Sequence, residues 1–79
     1  MTTKIVPNVE TVEGFIAEAE EWSERVRKIR QKMSRVKRES EPYQDLLAEL
    51  SVELFWLKMK AEVAAEAIDE YQETLPEDE

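Results

Sequence analysis

Apolar and small residues recur along this chain at alternating steps of three and four. Val12, Phe15, Ala19, Trp22, Val26, Ile29, Met33 and Val36 are followed by Tyr43, Leu47, Leu50, Leu54, Leu57, Ala61, Ala64, Ile68, Tyr71 and Leu75. A repeat averaging 3.5 residues keeps one stripe on one side of a helix, and that stripe must be covered by another helix. The pattern lapses at Ser40, two residues before Pro42. The phase passes through the lapse without a shift, as it would in one continuous rod of about 65 residues, roughly 100 Å long. Against the rod, proline inside a helix removes a hydrogen bond and clashes with the preceding turn, at about 3 kcal/mol. In a first turn its missing amide is not needed. The lapse therefore reads as the bend of a hairpin.

The elements follow from this bend. Residues 1–7 read as an extended arm, because Ile5 and Val6 are β-branched and Pro7 disfavours helix at Val6. A first helix is expected over 8–39, capped by Asn8, with Thr11 and Gly14 offering a later start. Glu10 and Glu13 suit the positive end of its dipole, and Arg35, Lys37 and Arg38 the negative end. A second helix is expected over 42–74, with Ser40 or Glu41 as its cap and Pro42 in its first turn. Residues 75–79 form an acidic tail. The fold class is thus all-α: one domain, 1–79, folded as a two-helix antiparallel coiled-coil hairpin. Folding at 39–42 also matches side-chain size, setting Trp22 near Leu57 and Ala61, and Phe15 near Ala64 and Ile68.

The second helix carries more apolar surface than one neighbour covers. Val52, Phe55, Trp56, Met59 and Val63 lie outside the seam that holds Leu50, Leu54 and Leu57. Two hairpins packing these faces together would make a homodimeric four-helix bundle and enlarge a small core. A different protein is the alternative occupant, with Phe55 and Trp56 as anchors and Met59 as an adaptable contact. Acids flank the stripe, which argues against a lipid surface.

Composition narrows the chemistry. The chain has no Cys and no His, so the usual ligands of zinc, haem and copper and the usual nucleophile–base pairs are missing. No catalytic residue, metal or cofactor is expected, and the chain reads as a non-enzymatic interaction, assembly or regulatory module. No apolar run approaches the roughly 20 residues of a membrane-spanning helix, and residues 1–4 lack a signal-peptide character. The expected location is cytoplasmic.

The net charge of −8 is distributed in blocks. Residues 25–38 carry eight bases and no acid, between acid-rich stretches on both sides. Arg27, Lys28, Arg35 and Arg38 point outward in the expected helix and could hold phosphates of a nucleic acid with salt-dependent affinity. The competing expectation is that Arg25, Arg30, Lys32 and Lys37, beside the seam, pair with acids of the second helix. The acidity of the remaining chain repels a polyanion and favours the second expectation. Glu18 and Glu21, with Glu66 and Asp69, would lie on opposing helices. Their spacing resembles the Glu-x-x-Glu plus Glu-x-x-Asp pattern of the all-α nucleotide pyrophosphohydrolases of the MazG type. That resemblance implies a magnesium site, although these carboxylates lie off the apolar seam and the pairs are farther apart than in that family.

Overall fold

The computed structural model describes residues 7–74. Two helices, α1 (Val9–Met33) and α2 (Glu41–Glu73), pack side by side as an antiparallel hairpin. The bend at Ser40 excludes the rod. Asn8 caps α1, its side-chain oxygen accepting from the Thr11 amide at 2.8 Å. The expected arm over 1–7 falls outside the described residues except for Pro7, and the 75–79 tail falls outside them entirely.

α1 ends six residues earlier than the sequence suggested. Its last carbonyls are closed by short-range bonds: Arg35 N–H donates to the Lys32 carbonyl at 3.0 Å, Val36 N–H to Met33 at 3.3 Å, and the Ser34 hydroxyl to Gln31 at 2.6 Å. Such i to i−3 bonding tightens and terminates a helix end. The chain then crosses in seven residues, 34–40, with Glu39 in the left-handed region at φ 65°. Closing the hairpin turns Val36 under the bundle, where it lines a concavity with Met33 and Tyr43. A straight helix to residue 39 would carry the chain past the start of α2.

Ser40 restarts the helix. Its hydroxyl accepts from the Tyr43 amide at 3.3 Å and Pro42 sits in the first turn, so the proline that would break a rod opens α2 without loss. Ser40→Ala should lower stability by about 1 kcal/mol, as the loss of an N-cap does, which a urea titration followed by circular dichroism would read.

On α1 the sequence seam faces inward: Val12, Ile29 and Met33 are buried, with Phe15, Ala19, Trp22 and Val26 half-buried, and Val36 on the crossing segment is half-buried too. On α2 the seam turns by one position. Leu46, Glu53 and Lys60 take inward places expected of Leu47, Leu54 and Ala61, and Ala67 is buried beside the half-buried Ile68, while Tyr43, Leu50, Leu57, Ala64 and Tyr71 stay inward as expected. Leu47 and Leu54 are left 37% and 45% exposed. The rotation brings Trp56 onto Trp22, with ring centroids 6.1 Å apart and planes inclined by 29°. It also sets Lys60 against Glu18 at 3.2 Å and Glu53 near Arg25 at 3.9 Å. The expected bulky-against-small packing fails at Trp22, which meets another tryptophan while Ala61 is exposed; at the open end Phe15 and Ala67 line one concavity with Val63.

The hairpin is one layer of two helices, with extents of 58 × 29 × 18 Å. Among the described residues each helix packs against the other alone, and the buried core there is Val12, Ile29, Met33, Ala64 and Ala67, each 4–6% exposed. A chain of this size with so thin a core is the kind that oligomerisation commonly stabilises.

Candidate interaction surface

Five apolar side chains lie in one patch on α2. Val52 is 54% exposed, Phe55 55%, Trp56 44%, Met59 40% and Val63 41%. At about 100° per residue their mean direction lies roughly 120° round the helix from the seam that faces α1. They share a face because their spacings of three, four and seven bring residues back to one side of a helix. Contiguous apolar patches of this kind mark sites where another surface is to be buried.

The patch has a rigid edge. Trp56 stacks on Trp22 with one face and meets the edge of Phe55 at 5.6 Å and 78°. The Arg25 guanidinium lies 4.3 Å from the Trp22 ring centroid. Trp56 therefore belongs to two arrangements: it closes the flank of the hairpin, and its remaining surface continues the outward stripe. Sequence spacing identified it as an outward residue and missed its inward partner, since a stacking pair between residues 22 and 56 has no local signature. At the open end, Val63 joins Phe15, Ala67, Glu66 and Glu70 in lining a shallow depression of about 490 Å³, so the stripe runs on towards α1.

The basic residues are divided between two settings. Arg27 and Lys28 lie on α1, whereas Arg35 and Arg38 lie on the crossing segment, and all four are exposed. Arg27 is held by Glu24 through guanidinium bonds of 2.8, 2.9 and 3.2 Å. The even helical row of phosphate contacts anticipated from the sequence is thereby broken: one member is neutralised and two leave the helix. Of the expected pairings with α2, Arg25 meets Glu53. One Glu53 carboxylate oxygen is buried without a hydrogen-bond partner.

The four carboxylates of the magnesium pattern do not assemble. Glu18 accepts from Lys60, a residue that the seam rotation inserts between the helices. Among the described residues, no three acids converge as a metal site would need. None of the helices among them is long and apolar enough to cross a membrane. No protein-family model, curated protein or solved structure matches this chain.

Proposed function

We propose that this chain is a non-enzymatic assembly module that pairs with a second copy of itself through the α2 stripe, making a four-helix bundle. The observation that carries this reading is the contiguous exposure of Val52, Phe55, Trp56, Met59 and Val63 on a hairpin only one helix layer thick. A second layer would cover the stripe and give α2 an apolar neighbour on each side. Burial of apolar surface yields about 25 cal/mol per Å², the largest favourable term open to so small a core. The stripe supplies aromatic anchors and an adaptable methionine, the residue types that dominate helix-on-helix interfaces.

Association linked to folding makes stability depend on concentration. Over about a hundredfold range of chain concentration, the thermal unfolding midpoint followed by circular dichroism should rise by several degrees. A midpoint independent of concentration would contradict self-association.

A further inference from the structure

We propose that the two copies meet antiparallel, about a two-fold axis crossing α2 near Leu57, so that the bend half of each hairpin lies along the open half of the other. This rests on the self-association reading and adds an orientation to it. Two observations point the same way. The first is the position of the stripe: Leu57 is the middle residue of α2 (Glu41–Glu73), and Val52 to Val63 are centred beside it. An antiparallel two-fold at that point sets Val52 opposite Val63 of the partner subunit and Trp56 opposite Met59 of the partner subunit, while both helices overlap along their full length. A two-fold contact must be self-complementary in this way.

The second is charge. Divided at the axis, the bend half, residues 21–57, holds eight bases and seven acids, a net of +1; the open half, residues 7–20 with 58–74, holds two bases and nine acids, a net of −7. Antiparallel pairing lays +1 along −7 at both ends, whereas parallel pairing lays −7 along −7. Across the α2 pair itself, Asp45 meets an acid in either order, Glu70 of the partner subunit or its own mate. The discrimination comes from the basic run of residues 25–38.

The chain has no cysteine, so single introduced thiols report orientation cleanly. Asp45→Cys and Glu70→Cys lie on the stripe side of α2, at opposite ends. Equal amounts of the two variants are mixed, equilibrated, weighed by sedimentation and then oxidised, and the disulfides are resolved by intact mass. The expected result is a dimeric mass with the mixed disulfide exceeding either self-disulfide at least tenfold. A dimer that forms self-disulfides overturns the antiparallel arrangement while leaving self-association standing; a monomeric mass overturns both. For the unmodified chain, raising sodium chloride from about 0.05 to about 0.5 M should weaken association several-fold, because salt screens the attraction between unlike halves. Association strengthened by salt would favour the parallel order and overturn the proposal.

Discussion

Replacing Phe55 and Met59 together by glutamate should convert the protein to a monomer that keeps the helicity of the parent. Both positions are exposed in the single hairpin, at 55% and 40%, so a charge there remains hydrated, and the change inside the hairpin is limited to the Phe55 contact with Trp56. In a two-fold dimer the same change buries four carboxylates against apolar neighbours, where an unpaired charge is strongly disfavoured. An interface anchor contributes about 2 kcal/mol or more, so two anchors weaken association by at least about a thousandfold, or roughly 4 kcal/mol. Trp56→Glu is a less discriminating variant, because it also breaks the stack on Trp22. Sedimentation and far-ultraviolet circular dichroism on the Phe55 and Met59 double variant separate loss of association from loss of fold. A double variant that associates as strongly as the parent would remove the stripe from the interface.

Trp22→Ala should be the most damaging single substitution inside the hairpin. Trp22 is half-buried in the seam, stacked on Trp56 and covered by the Arg25 guanidinium. Truncating a well-buried aromatic residue costs about 3–5 kcal/mol, and partial exposure reduces this to about 2–3 kcal/mol. Total stability for a chain of this length is on the order of 4–12 kcal/mol, so the variant loses a large share of it. The loss also reaches Arg25, which in turn stands beside Glu53. A urea titration measures the effect, and a double-mutant cycle with Trp56→Ala should return about 1 kcal/mol of coupling, as aromatic pairs do. Additive losses from the two truncations would mean that the stack contributes no pairwise stabilisation.

Local chemistry made several features legible from the sequence. Asn8 and Ser40 cap their helices because a short polar side chain there satisfies an orphan amide, and Pro42 marks a helix start because only the first turn tolerates it. The inward face of α1 follows from its 3.5-residue repeat with little ambiguity, since the basic and acidic residues leave one apolar stripe. α2 offered no such choice. Leu46 and Leu47 leave the phase open at the start of the helix, but further on the phase adopted is the more polar one, with Glu53 and Lys60 inward in place of Leu54 and Ala61, so apolar spacing alone points to the other. The stack of Trp22 on Trp56 and the ion pair of Glu18 with Lys60 accompany the phase adopted, and both join residues more than thirty apart in sequence. The end of α1 was hidden for a related reason: nothing between Met33 and Ser40 breaks a helix locally, and the stop comes from closing the hairpin with Val36 beneath it.

The outward stripe was legible because its residues fit no intrachain seam, although Trp56 also stacks on Trp22 and Val63 also lines the depression beside Phe15. The basic run is divided in the fold, since helix termination at Met33 puts Arg35 and Arg38 on the crossing segment and Glu24 holds Arg27. Exposed ion pairs such as these contribute about 0–1 kcal/mol each, which leaves apolar burial on α2 as the main free energy still open to the fold.

Sedimentation equilibrium of the unmodified chain decides whether two hairpins pair through the α2 stripe. The expected mass is twice the 9.3 kDa of one chain, falling to the single-chain value when Phe55 and Met59 are both glutamate. A mass of 9.3 kDa for the unmodified chain at every concentration would contradict that pairing.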